Sequence, residues 1–357
     1  DDLARRIDAV KWPARSWQAA DDWSYGTPEP YLRALIAYWR HDFNWRAAEA
    51  RLNRFAQFLC TVEDLNLHCL HVRSPHAGAT PLLLVHGWPG SVVEFLDVIP
   101  RLTEPERFGG HADDAFHVVC PSLPGYGFSQ TIQEPGMAPD RIARLLAGLM
   151  TALGYDRFVA QGGDWGAVCC RYLPDQVPER LIGLHLNLVL PFPPAGLADP
   201  DSLLSEAERA YVAAWIDSQW EVTGYAHQQG TKPHTLAFAL SDSPVGLAAW
   251  ITEKFHRWTD NRGDLRDAIS WDTLLTNISL YWFTNAISDS FRPYYERYQG
   301  FVPPVRRVDV PTAVALFPAD IGRPQPRSWA ERTYRVERYT LMPRGGHFAA
   351  YEEPQLL

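Results

Sequence analysis

Gly162-Gly163-Asp164-Trp165-Gly166 puts a carboxylate among glycines, directly after the apolar stretch "RFVAQ". An acid on such a turn can be a nucleophile, a metal ligand or a cap on the helix that follows. The form glycine-x-nucleophile-x-glycine holds a reactive side chain on a strained strand-to-helix turn. Its glycines leave room where a Cβ would strike the neighbouring strand or helix. A helix start also favours an anion through its partial positive charge. No second carboxylate or histidine stands at metal spacing to Asp164, so the ligand reading falls away. The cap reading survives only as a by-product of position.

A nucleophile needs a base, an acid that orients it, and donors for a developing oxyanion. "LMPRGGHFAAYEEP" sets His347 in a glycine-flanked loop after the last strand-like run, where a base belongs. His68 and His71 lie inside a strand pattern, and His234 and His256 fall in a helical insertion, so they fit less well. "VALFPADIG" places Asp320 just past the penultimate strand, ahead of His347 in chain order. Asn187 is a poor anion, and Asp309 precedes its strand and points to the wrong end of the sheet. For the oxyanion, one backbone N–H comes from the residue after the nucleophile, Trp165. The second comes from the "HGWPG" turn at 86–90, with Trp88 as donor. Trp88, Pro89 and Trp165 are also expected to border the substrate.

A carboxylate attacking an ester would form an anhydride, whereas displacement at saturated carbon gives an alkyl-enzyme ester. A histidine-activated water then attacks the aspartyl carbonyl. Carbon–halogen bonds and strained epoxides both fit. Halide leaves with weak donors, but an epoxide oxygen leaves as an alkoxide and requires a proton. Tyrosines of the insertion could supply it as phenols. Tyr225, beside Gly224, and Tyr294 and Tyr295 in "SFRPYYERYQG" are candidates, and residue chemistry alone does not separate them from Tyr211, Tyr281 or Tyr298.

These residues require a scaffold that brings strand ends together. Residues 1 to about 60 read as helices and turns, with Leu32, Leu35, Ile36 and Trp39 at helical intervals. From about 65 the period shortens. "LHCLHVR", "PLLLVHGWPG", "AFHVVCP", "DRFVAQGG" and "LIGLHLNLVLPFPP" read as strands, with the amphipathic "DRIARLLAGLMTALG" between them. Alternating strands and helices mean a mostly parallel α/β sheet. Residues 191–300 carry helical spacing and many aromatics with no convincing strand, and "TAVALF" and "RYTLMP" then restore the strand pattern. The expected organisation is an N-terminal arm (1–60), an α/β core (61–190 and 301–357) and a helical insertion (191–300). A terminal helix is expected to begin at "YEEPQLL".

The composition bounds the partners. At 357 residues with 46% hydrophobic content the chain has ample core. A net charge of −9 argues against nucleic acid or an anionic membrane. Fourteen tryptophans, within 13% aromatic residues, fit either a bulky core or an aromatic-lined pocket. Five cysteines without zinc spacing read as reduced buried thiols, and no cofactor or metal is called for. "DDLARRIDAV" is neither a signal peptide nor a span, and no run approaches the roughly 18 apolar residues a span needs. A cytoplasmic protein is expected. A homodimer stays open, no residue arguing for it.

Together the motifs resemble the microsomal-type epoxide hydrolases of the α/β-hydrolase superfamily. The resemblance runs through "YWRHDFNWRAAEARLN", "HGWPGS", "GGDWG", "LSDSPVGLAAWITEKFHRWTD", "LLTNISLYW" and "RGGHFAAYEEP". It implies an α/β-hydrolase fold with a helical lid and an arm wrapping core and lid. It also implies Asp164 as nucleophile, His347 as base and Asp320 as its acid, a position that is glutamate in some relatives. "TGYAH" matches the first lid tyrosine at Tyr225, and the register of "RPYYE" favours Tyr294 over Tyr295. Mammalian members carry an N-terminal membrane anchor, which is not seen here, so a soluble enzyme is implied; the aromatic count and "LVLPFPPAG" at the exit from core to lid point to a bulky apolar or aromatic epoxide. A haloalkane or haloacid dehalogenase with the same nucleophile, and a non-catalytic hydrolase-fold receptor, are the alternatives.

Overall fold

Among the described residues eight short strands form one sheet in the order β1-β2-β4-β3-β5-β6-β7-β8. The strands are β1 (Gln57–Val62), β2 (Leu65–Val72), β3 (Thr80–Val85), β4 (Phe116–Pro121), β5 (Phe158–Gly162), β6 (Leu181–Leu186), β7 (Val308–Leu316) and β8 (Tyr334–Leu341). The structure is a computed structural model and describes residues 1–14, 22–131, 133–189, 204–300, 306–321 and 326–357. β2 runs antiparallel to β1 and β4, and every pairing from β4 through β8 is parallel. Leu82–Val85 and Val118–Pro121 are buried throughout, as strands covered on both faces must be. The helix Pro139–Ala152 covers one face with Ile142, Leu145, Leu146 and Leu149. It ends where Gly154 takes φ +82°, in the left-handed region that glycine enters freely.

Two elements differ from the sequence reading. β1 falls within the stretch read as helices and turns. It is an edge strand whose Phe58 and Leu59 are exposed, so burial imposes no alternation on "QFLCTV". β7 starts at Val308, which puts Asp309 inside the strand, though still at the end remote from Asp164. The proline-rich exit "PFPP" and both expected edges of the insertion, at 190/191 and 300/301, lie outside the described residues.

Between β6 and β7 the described residues are helical, with helices at Glu206–Val222, Gly224–Thr231, Pro233–Asp242, Pro244–Trp258, Trp271–Thr284, Ile287–Ser290 and Arg292–Tyr298. The N-terminal helices pack on this segment. Leu32, Leu35, Ile36 and Trp39 of the helix Glu29–His41 are buried, each worth about 1.5–3 kcal/mol. The Trp39 indole donates to Ser279 Oγ at 3.0 Å, and Thr27 Oγ1 donates to the Ala249 carbonyl at 2.8 Å. All five cysteines are free, and four are buried. Among the described residues no helix is long and apolar enough to cross a membrane, and no group of three or more His, Cys, Asp or Glu is placed to hold a metal ion.

Candidate active site

Asp164, Asp320 and His347 follow β5, β7 and β8, so three parallel strands deliver them to one edge of the sheet. At the first of these turns Asp164 takes φ +49°, a left-handed conformation costing an ordinary residue about 1–2 kcal/mol. The glycines allow it by close approach. A Cβ on Gly166 would sit 2.2 Å from the Val85 carbonyl oxygen, and one on Gly162 would sit 2.4 Å from the Gly166 backbone.

His347 stands between the two carboxylates. Its Nδ1 lies 2.6 Å from Asp320 Oδ1, and its Nε2 lies 3.3 Å from Asp164 Oδ2. Burial works against a charged ring, but Asp320 and Asp164 outweigh it and hold the imidazole well above its usual value. Asp320 is fixed in turn by the Ile321 N–H, which donates to its Oδ1 at 2.6 Å. The glycine loop is pinned to the end of the helix Pro244–Trp258. The His347 N–H donates to the Trp258 carbonyl at 2.7 Å, and a Cβ on Gly346 would meet that same oxygen at 2.4 Å.

The Trp88 backbone N–H donates to Asp164 Oδ1 at 2.7 Å. That leaves Oδ2 free of the turn and beside His347. The turn carrying Trp88 is braced from the helix Trp271–Thr284. Asn277 donates to the Pro89 carbonyl at 2.7 Å and accepts from Ser91 Oγ at 2.7 Å, while the Tyr281 hydroxyl donates to the Gly90 carbonyl at 2.9 Å.

A cavity of about 510 Å³ opens over Asp164. Trp165, Val168, Leu188, Trp215, Leu316 and Phe317 supply apolar wall, and Tyr225 and Tyr294 reach into it from the helical segment. Tyr294 is 5% exposed, whereas its neighbour Tyr295 is 38% exposed, which separates the two tyrosines the sequence left adjacent. Of the other sequence candidates, Tyr211 and Tyr298 also border the cavity and Tyr281 does not. Burial, then Tyr225 and Asp164 nearby, keep the Tyr294 phenol protonated well above its ordinary range. Burial and Asp164 do the same for Tyr225. The Tyr294 hydroxyl is buried with no hydrogen-bond partner among the described residues. Trp88 and Pro89 do not line this cavity. The Trp88 ring lies a layer behind, stacked on Tyr225 at 5.2 Å, and Pro89 is turned to Asn277 through its carbonyl.

Residues 1–95 match the family described as "Epoxide hydrolase N terminus", and residues 80–237 match the alpha/beta hydrolase fold. Epoxide hydrolase 1 of Oryctolagus cuniculus is 40% identical over 100% of this chain and 84% of its own. The crystal structure of juvenile hormone epoxide hydrolase from the silkworm Bombyx mori superposes with a TM-score of 0.87 at 32% identity, covering 99% of this chain and 88% of that one. The Aspergillus niger epoxide hydrolase does so with a TM-score of 0.85, also at 32% identity, covering 99% and 89%. The chain belongs to the microsomal-type epoxide hydrolases. That membership favours an enzyme opening epoxides over the dehalogenase and receptor readings.

Three residues of this epoxide hydrolase's site escaped the reading by residue type. Glu94, four residues past Gly90, lines a second, small cavity of about 20 Å³ behind Asp164, together with Gln161, Asn187 and His347. Burial pushes its carboxyl up to about 8, with Asp164 adding to the effect and His347 opposing it. Its signal was a lone acid inside the apolar run "SVVEFL". Asn277 likewise was a lone amide on an apolar helix. Lys254, whose Nζ sits 4.9 Å from the Tyr225 ring centroid, gave no signal, because nothing local ties it to a tyrosine 29 positions earlier.

Proposed function

We propose that this epoxide hydrolase opens its substrate by covalent catalysis at Asp164. Oδ2 attacks an epoxide carbon while Oδ1 rests on the Trp88 N–H. The carbon–oxygen bond breaks toward the ring oxygen, which takes a proton from Tyr225 or Tyr294, leaving a hydroxyalkyl ester on Asp164 and a phenolate. The charge of Arg297 favours that phenolate at Tyr225, and Lys254, paired with Glu253, sets its ammonium 4.9 Å from the same ring's centroid. His347 then removes a proton from water, and the hydroxide adds to the Asp164 carbonyl carbon. The tetrahedral oxyanion is held by the Trp88 N–H and by that of Trp165, the residue after the nucleophile. Collapse expels the vicinal diol, its leaving oxygen protonated by the imidazolium, and Asp164, left as the carboxylic acid, gives up its proton through solvent to the phenolate, which restores both groups.

The observation that carries this reading is His347 set between two carboxylates, 2.6 Å from Asp320 and 3.3 Å from Asp164. An imidazole so placed has a partner for each nitrogen: Asp320 orients it, and its other face meets the ester carbon. The small cavity adds support. At about 20 Å³ it has room for one water among polar groups, and both His347 and Asp164 border it. The helical segment acts as a lid that supplies the proton donors, the N-terminal arm clasps it to the α/β core, and the wall residues favour an epoxide with a bulky apolar or aromatic body.

Single turnover in oxygen-18 water tests the mechanism. Label enters Asp164 in the first cycle and reaches the diol only in later ones. A first diol carrying the label would overturn the covalent route.

A further inference from the structure

His347 is held by its backbone as well as by its ring, through groups that take no part in the reaction proposed above. Glu352, at the end of the short helix Ala349–Glu352, turns its carboxyl back onto the histidine loop. Its Oε2 accepts from the Gly346 N–H at 2.9 Å and its Oε1 from the Phe348 N–H at 3.0 Å, so it grips the residues on either side of His347. Oε2 also accepts from the Asp260 N–H at 2.7 Å, 92 positions earlier in the chain. Asp260 follows the helix Pro244–Trp258 and returns the contact, its Oδ2 accepting from the Gly345 N–H at 2.8 Å. With the His347 N–H on the Trp258 carbonyl, the consecutive N–H groups of residues 345–348 all end on Glu352, Asp260 or Trp258. Successive backbone N–H groups in a turn make an anion-binding concavity, and two of the chain's own carboxyls fill this one. Burial raises Glu352 to about 7 against the pull of its three N–H donors, so the acid is kept where it loses solvation. The adjacent Glu353 differs, because its carboxyl meets the Arg344 guanidinium at 2.8 Å instead of the loop backbone.

We infer that Glu352 is a positioning residue for the proposed base. By fixing the backbone on both sides of His347 it sets where Nε2 meets the ester on Asp164. Through Asp260 it ties that setting to the helical segment that carries Tyr225 and Tyr294. This rests on the covalent reading above, because it assigns His347 to the second step. The ring has little freedom, with Nδ1 2.6 Å from Asp320 and Nε2 3.3 Å from Asp164. A reacting group displaced by about 1 Å can lose about 10² in rate. Asp164 is held independently, by the Trp88 N–H at 2.7 Å. Loosening the histidine loop therefore bears on ester hydrolysis and spares alkylation. An alkyl side chain at 352 strands three N–H donors, and the loop must then move to find other partners.

The test is rapid-quench kinetics with styrene oxide on the whole enzyme, which separates alkylation from ester hydrolysis. Glu352→Ala is expected to slow hydrolysis about 10²-fold and alkylation less than about threefold, so that adduct accumulates and KM falls with kcat. Glu352→Gln keeps one acceptor oxygen and is expected to recover part of the loss, hydrolysing about tenfold more slowly than the wild type. Glu353→Gln, one position on, should leave both steps unchanged. Asp260→Ala should slow hydrolysis in the same sense, and less than additively when combined with Glu352→Ala, since the two carboxyls share one network. A melting transition for each variant reports that it has folded; where Glu352→Ala has none, Glu352→Gln decides. Equal slowing of alkylation and hydrolysis would reduce Glu352 to a structural role and overturn the positioning role. Hydrolysis at the wild-type rate in both Glu352 variants would overturn it too. Fully additive losses would overturn the link through Asp260. Label from oxygen-18 water in the first diol of the wild type, with no adduct, would instead overturn the covalent reading and the positioning role with it.

Discussion

Asn277 donates to the Pro89 carbonyl at 2.7 Å, tying a helix between β6 and β7 to the turn that binds the Asp164 carboxylate. The turn's Trp88 N–H in turn holds Asp164 Oδ1 at 2.7 Å. The helical segment and the Trp88 N–H, the proposed oxyanion donor, are therefore one mechanical unit. Replacing Asn277 with Leu removes the brace and strands the buried Ser91 hydroxyl, which accounts for about 1–3 kcal/mol of lost stability. Deleting an oxyanion donor outright costs about 10²–10³ in kcat, so a displaced one is expected to lower kcat about ten- to a hundredfold. Rapid-quench measurement should find the loss in ester hydrolysis more than in alkylation; an equal loss in both would mean that Asn277 acts only on folding.

His347→Gln keeps the ring's approximate volume but removes the proposed base. In the proposed mechanism alkylation uses Asp164 and the tyrosines, so it should persist, while hydrolysis of the ester should slow by at least about 10³-fold. The expected outcome is one burst of substrate consumption per enzyme, with intact mass raised by one substrate. A variant that still turns over without accumulating adduct would remove His347 from the role of base.

The proton donors predict a different signature. Tyr225→Phe and Tyr294→Phe should each slow alkylation about ten- to a hundredfold, and the double variant should abolish epoxide opening, since a general acid contributes about 10²–10⁴. Lys254, 4.9 Å from the Tyr225 ring centroid, is proposed to act through that tyrosine, so Lys254→Met is expected to slow alkylation less than Tyr225→Phe does. Lys254→Arg should restore most of the rate, and the shift should vanish in a Tyr225→Phe background. Additive losses in the double variant would show that the lysine works independently of the tyrosine.

What the sequence made legible follows from chain order. Asp164, Asp320 and His347 each sit just past a strand run, so a parallel sheet must gather them at one edge, whatever else the fold does. Tyr225 and Tyr294 were not separable in the same way. Six tyrosines shared a helical segment, and only packing decides that Tyr294 turns in and Tyr295 turns out. Glu94, Asn277 and Lys254 lay further out of reach, because their partners are backbone carbonyls, a cavity and an aromatic ring supplied by other elements. β1 was missed for a related reason, since an exposed edge strand carries no burial pattern to read.

Glu94 gives the enzyme a pH dependence of definite sign. Its carboxyl is raised from 4.5 in the unfolded chain to about 8 in the folded one, chiefly by burial. A group raised on folding binds its proton more tightly in the native state, so its contribution is full below pH 4.5 and is lost as pH climbs toward 8. Thermal melts of the wild type should therefore fall across that window, and Glu94→Gln, neutral at every pH, should flatten the fall. The same substitution tests the small cavity. A neutral Glu94 carries an O–H at the wall of the space it shares with His347 and Asp164, and an amide preserves a donor there, so Glu94→Gln should keep ester hydrolysis within about tenfold. Glu94→Leu removes the polar group that would hold a water and should slow hydrolysis by a further tenfold or more, with alkylation little changed. Equal rates in the Gln and Leu variants would show that the attacking water does not depend on Glu94.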